Sequence, residues 1–148
     1  MVLHDAMLCA AAGGVERFLI GSELRGLTWA RSAAGTYPAV AALKALAAEV
    51  AAILPTTKIS YAADWSEYVA HAAGDGSGDL YFHLDPLWAD SHIHFIGIDN
   101  FAPLTDWRKG PSHFDRVLSS SIYDLDYLQS RIAGGENYDW YYAGDADR

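Results

Sequence analysis

The sequence predicts an α/β fold built on a parallel sheet, and three observations carry that expectation. Helical and strand-like segments alternate along the chain. The strand-like segments are short and almost wholly apolar, as strands covered on both faces are. Each is shortly followed by an acidic residue, Glu23, Asp64 or Asp99, where parallel α/β folds gather their chemistry. Two architectures fit this order, a doubly wound open sheet and a (β/α)-barrel.

The elements run in turn. Val2 to Ala12 is Ala-rich and helical, and Gly13-Gly14 closes it. Arg17 to Gly21 is a compact apolar run, too short for a helix, and reads as a buried strand. Next comes the clearest helix: Thr36 is its expected cap and Pro38 lies in its first turn. Val40, Leu43, Leu46 (or Ala47), Val50 and Ile53 then recur at helical spacing until Pro55. Lys58 to Ala62 is a second strand, Trp65 to Ala73 a short helix, and Gly74 to Asp79 a polar loop. Leu84 to Ala89 has room for one helical turn, and Ile93 to Ile98 is the third strand. A long loop to His113 precedes a helix over Ile122 to Ile132, ended by Gly134-Gly135. Tyr138 to Tyr142 is an aromatic strand or packed loop.

Composition narrows the function. Nineteen acidic residues stand against 10 basic ones, for a formal charge of −9. No Lys/Arg cluster exists to neutralise phosphates, so nucleic acid and anionic membranes are not expected partners. The longest apolar stretch, Pro38 to Pro55, is interrupted by Lys44 and Glu49, which argues against a membrane span. His4 and Asp5 stand where a signal peptide carries positive charge. Cys9, the single cysteine, lies in an Ala-rich helix and reads as a small buried side chain.

Two patterns resemble metal sites. His92-x-His94 puts both imidazoles on one side of a strand, as in a metal-dependent hydrolase. The pair lies at the amino end of that strand, opposite Asp99, so no metal is expected there. Asp75-x-Ser77-x-Asp79 alternates oxygen ligands but lacks the downstream Glu of a calcium loop. It reads as a solvated loop, and no cofactor is expected either.

Phe18-Leu19-Ile20-Gly21-Ser22-Glu23-Leu24 resembles the fourth strand of barrel glycosidases, whose acid/base Glu ends that strand. Ile59 through Trp65 resembles their fifth strand, and Ile96-Gly97-Ile98-Asp99-Asn100-Phe101-Ala102-Pro103-Leu104 their sixth. The whole chain more closely resembles the TIM-barrel-like domain of gene-transfer-agent and phage tail proteins described as host-specificity proteins. His83-Leu84-Asp85-Pro86-Leu87-Trp88, Pro103-Leu104-Thr105-Asp106-Trp107-Arg108 and Tyr123 to Tyr142 carry that likeness. The resemblance implies a partial (β/α)8 TIM barrel, from roughly the helix before strand 4 through the helix after strand 6. Residues 1–148 are then a fragment of one such domain. A whole barrel takes about 250 residues.

The resemblance further implies a glycoside hydrolase of retaining type, in which Glu23 is the acid/base. The partner nucleophile, a Glu ending the seventh strand, has no matching segment here; Glu136 comes after a helix stop and is not assigned that role. Ser22 replaces the Asn that many barrel glycosidases place before the acid/base. Asp99 and Asn100 are expected to orient the sugar or Glu23, and Asp64 to line the same site or cap the next helix. Trp65, Phe101 and Trp107 are expected to stack on sugar rings, while Trp88 and Trp140 fall to the core or an interface. Arg25 is a candidate ion-pair partner. The expected partners are a cell-wall or surface glycan and other tail proteins, in a tail particle made in the bacterial cytoplasm. An alternative of another class is a non-catalytic glycan-binding or structural tail-tip domain; a metal hydrolase is the third. Unpaired sheet edges lead one to expect that the isolated chain is inactive and self-associates.

Overall fold

The computed structural model describes residues 1–132 apart from 73, 75, 102, 103, 106 and 111. The chain divides into two compact units, Met1–Asn100 and Phe101–Arg148. In the first, the order is α1 (Val2–Ala11), β1 (Arg17–Ser22), α2 (Arg25–Thr28), α3 (Pro38–Ile53), β2 (Lys58–Asp64), β3 (His71–Ala72), β4 (Leu80–Tyr81), α4 (Asp85–Trp88) and β5 (Gly97–Asp99). Strands β1, β2 and β5 form a parallel sheet with β2 in the centre. The α/β class and its parallel sheet are as expected, and three parallel strands are compatible with part of a TIM-like barrel.

The sequence patterns explain the main elements. α1 stops where Gly13 and Gly14 adopt positive φ, and the Gly14 amide reaches back to the Cys9 carbonyl at 2.8 Å. α3 turns Val40, Leu43, Ala47 and Val50 inward, and packs on β1 and β2. Ile59, Tyr61, Leu84 and Leu87 are wholly enclosed in the same core. Each large apolar side chain so buried contributes about 1.5–3 kcal/mol. Five consecutive residues of β2 are buried, as befits a central strand covered on both faces.

The structure departs from expectation at several boundaries. Thr36 does not cap α3; Tyr37 holds that position without a side-chain bond, because the Thr36 amide is engaged by Ala33. The helix expected over Trp65 to Ala73 is absent from its described residues, 65–72. A turn comes after Asp64, and His71 and Ala72 then pair with Tyr81 and Leu80 in the small β3–β4 hairpin. The third strand covers only Gly97–Asp99, not Ile93 to Ile98. Just before it, side chains add to one backbone bond, from the His94 amide to the Ile59 carbonyl at 2.9 Å: Ser60 Oγ donates to the Phe95 carbonyl, and His94 Nδ1 accepts the Ile59 amide at 3.1 Å. Pairing then begins at Gly97, where a Cβ atom would fall 2.6 Å from the Tyr61 carbonyl oxygen. Only glycine permits that approach.

In the second unit, the described residues include α5 (Asp115–Leu118) and α6 (Leu125–Arg131). α5 is a turn that periodicity did not announce. α6 begins later than the expected Ile122, because Asp124 caps it by accepting the Tyr127 amide at 3.2 Å. Tyr127 is buried here and its hydroxyl donates to the Asp115 carboxyl. Tyr138 to Tyr142, Glu136 and Trp140 lie outside the described residues.

Candidate functional site

The carboxyl ends of the three parallel strands share one edge of the sheet. Ser22 is level with Ala62, and Asp64 with Asp99. This edge holds every acidic residue that the strand pattern singled out in the first unit. Its geometry is set by an irregularity in β1: three steps from Leu19 to Ser22 match two from Ser60 to Ala62. The extra residue re-aims the end of β1, as a bulge does. Gly21 sits within it and faces the Tyr61 ring, where a Cβ would lie 3.3 Å from Cε2.

Glu23 comes directly after the bulge. Its φ is 54°, and it is the one non-glycine among the described residues with positive φ. A left-handed conformation costs an ordinary residue about 1–2 kcal/mol, so its surroundings must hold it there. Two bonds to β2 do so. The Glu23 amide donates to the Ala62 carbonyl at 2.9 Å, and the next amide, of Leu24, donates to the Tyr61 hydroxyl at 2.7 Å.

The Glu23 side chain is exposed and borders a cleft of about 440 Å³ lined also by Arg25, Asp64, Trp65 and Ser66. Asp64 and Trp65 are half-buried here. Asp64 Oδ1 accepts both the Ser66 hydroxyl and its amide, the latter at 2.8 Å. Those bonds, the hydroxyl foremost, hold the Asp64 carboxyl below the usual range despite some desolvation, so it stays ionised. It thus caps a turn rather than the helix that was expected. Arg25, a candidate ion-pair partner, donates from Nη1 to Ser66 Oγ at 2.6 Å and lies over the Trp29 ring at 5.1 Å. The cleft therefore combines an acidic pair, a guanidinium and an indole, which suits a polar ligand with an apolar face.

Asp99 is half-buried, and its Oδ2 accepts the Ser22 hydroxyl at 2.5 Å. Its carbonyl accepts the Trp65 amide at 3.1 Å. Asn100 is exposed at the end of that strand. Phe101 and Trp107 belong to the second unit. There Phe101 is 70% exposed, whereas Trp107 is half-buried, edge-on to His113 at 4.8 Å with Arg116 over its face. Trp107 therefore packs within its own unit. Trp88 is partly buried against the core of the first unit, as expected, with Nε1 directed to the Tyr68 carbonyl at 3.4 Å. Of the paired histidines, His92 engages Asp90 and His94 engages Ile59.

Sequence reasoning missed Glu67. It is fully buried and accepts the Thr28 hydroxyl at 2.5 Å, the Tyr61 hydroxyl at 3.0 Å and the Asp64 amide at 3.1 Å. Tyr61, also fully buried, has its phenol pushed up by burial. The only sequence signal was an acidic residue shortly after a strand end, and that pattern does not distinguish an inward carboxyl from a solvated one.

The deciding observation is a match along the full chain: the family model of the GTA TIM-barrel-like domain covers residues 1–148. The chain belongs to the GTA TIM-barrel-like domain family. No curated protein matches it. The three-stranded parallel sheet of this GTA TIM-barrel-like domain fits that membership. No described helix is long and apolar enough to cross a membrane.

Proposed function

We propose that this domain acts on a glycan of the host cell wall or surface, with Glu23 as the acid/base of glycoside hydrolysis. The observation that carries the reading is the cleft at the carboxyl edge of the sheet, where Glu23 stands with Asp64, Arg25 and Trp65. Sugars present hydroxyls to carboxylates and guanidinium groups, and apolar C–H faces to an indole. Glu23 would protonate the leaving oxygen. A retaining mechanism also needs a nucleophilic carboxylate about 5–5.5 Å away, which we place on a further strand of the same barrel. Asn100, at the end of β5, remains in this reading as a group contributed toward the sugar, whereas Phe101 and Trp107 belong to the second unit and are not assigned to this cleft. The setting we propose is a tail-like particle, in contact with other tail proteins.

One observation favours a second reading, that of a non-catalytic glycan-binding or structural tail-tip domain. Ser22, which stands where many barrel glycosidases have Asn, commits its hydroxyl proton to Asp99. It is therefore not poised to donate to a sugar hydroxyl. Incubating the full-length protein with cell-wall and polysaccharide panels separates the two. Released saccharide supports hydrolysis, retention on a glycan without release supports recognition alone, and the absence of both release and retention overturns both readings.

A further inference from the structure

We propose that Glu67 is a positioning residue that sets Glu23 and Asp64 relative to each other across the cleft, acting through Tyr61 and two backbone amides. The inference rests on the cleft being the working site, and it assigns Glu67 no contact with a ligand.

The connections form an unbroken path. On one side, Glu67 Oε1 accepts the Tyr61 hydroxyl proton at 3.0 Å, with Oε2 at 3.2 Å. That fixes the phenol oxygen so that its lone pair faces the Leu24 amide, which donates to it at 2.7 Å. Leu24 is next to Glu23, and this bond together with the one from Glu23 to Ala62 holds the left-handed φ of 54°. On the other side, Glu67 Oε2 accepts the Asp64 amide at 3.1 Å. The same carboxyl is braced by Thr28 from α2 at 2.5 Å. One buried group thus links α2, the middle of β2 and the turn after it.

Chemistry explains the presence of such a group. Burying a carboxyl is unfavourable unless its oxygens are satisfied, and here its bonds reach segments that border the cleft. A buried apolar residue would pack the same space without that desolvation penalty but would leave the Tyr61 hydroxyl and the Asp64 amide without this acceptor. Tyr61 cannot be replaced by a longer or shorter donor either, since its ring fills the space against Gly21.

The test is Tyr61→Phe, which keeps the ring and removes only the oxygen that holds Leu24, alongside Glu67→Gln, which keeps the shape and alters the acceptor set. Backbone NMR of the full chain reads Glu23 directly. With Tyr61→Phe we expect Leu24 amide exchange to rise about tenfold and the Glu23 φ coupling to leave its left-handed value, while amides in α1 and α3 stay protected. Glu67→Gln should shift the Asp64 and Leu24 amide signals together, whereas Thr28→Val should move neither as far. If the wild-type protein releases sugar, Tyr61→Phe should lower kcat by about 10- to 100-fold with KM little changed. Unchanged Glu23 coupling and Leu24 exchange in a folded Tyr61→Phe protein would overturn the proposal. A wild-type protein that releases no sugar would count against the hydrolytic reading alone, because the NMR result stands without it.

Discussion

The Ser22 hydroxyl donates to Asp99 Oδ2 at 2.5 Å, although β1 and β5 are not neighbours and β2 lies between them. Strands two apart in a sheet are roughly 9–10 Å from each other, so both side chains must lean over the end of β2 on the same face. The bond ties the two outer strands together at the edge where the cleft opens. Ser22→Ala is expected to lower unfolding free energy by about 1 kcal/mol, read from the urea midpoint. A midpoint equal to that of the wild type would show that the contact carries no net stability.

Gly97 should tolerate no side chain. A methyl group there would meet the Tyr61 carbonyl oxygen at 2.6 Å, against backbone that cannot rotate away. Gly97→Ala is expected to cost about 1–3 kcal/mol or to break the β2–β5 pairing. Retention of full stability and of the Gly97 ladder bonds would contradict the close approach.

Stability should fall in mild acid because of His83. This ring is buried among His71, Tyr37 and Trp29, with the His71 ring 5.0 Å away, and Asp85 is nearby in sequence. Burial first, then the neighbouring His71, lowers its pKa from 6.5 to about 4. The unfolded chain therefore binds a proton that the folded one refuses between those values. The stabilisation is complete above about pH 6.5 and drains away as pH drops toward 4. Thermal melts across that window should show the loss, and His83→Phe should flatten it. An unaltered slope in the variant would remove His83 as the cause.

Ser66 should govern the charge of Asp64. Its hydroxyl is the leading cause of the lowered Asp64 pKa, ahead of its own amide. Ser66→Ala is expected to move the Asp64 titration upward, measured by carboxyl carbon NMR, and to release Arg25 from Ser66 Oγ. An Asp64 midpoint that stays put would assign the shift to the amide alone.

The isolated chain is expected to associate. An apolar groove of about 210 Å³ runs between α2 and α3, lined by Leu24, Leu27, Leu43 and Leu46, and Leu27 is 58% exposed. Light scattering over a concentration series should show growth in mass that Leu27→Glu reduces. A monodisperse monomer at high concentration would contradict the expectation.

Much of the frame was legible because it arises from periodicity. The inward face of α3 and the apolar runs of β1 and β2 are local patterns, and their alternation implies the parallel sheet. The carboxylates at the strand ends came with that frame. The features that escaped were tertiary. Nothing near residue 67 announces that Glu67 turns inward to meet Tyr61 and Thr28, which lie on other elements. The start of the third strand's pairing at Gly97 depends on a close approach to a carbonyl of β2. The β3–β4 hairpin replaces a helix because His71 stacks on Trp29 at 5.1 Å and sits edge-on to Tyr37, partners distant in sequence.

Sugar release by the full-length protein, compared with its Glu23→Gln variant, tests the proposed chemistry most directly. The substitution keeps the side chain's size and removes its titratable proton. If Glu23 is the acid/base, release should fall by about 10²- to 10⁴-fold while the melting temperature and glycan binding are retained. Release by the variant at the wild-type rate would contradict the assignment and move the chemistry away from Glu23.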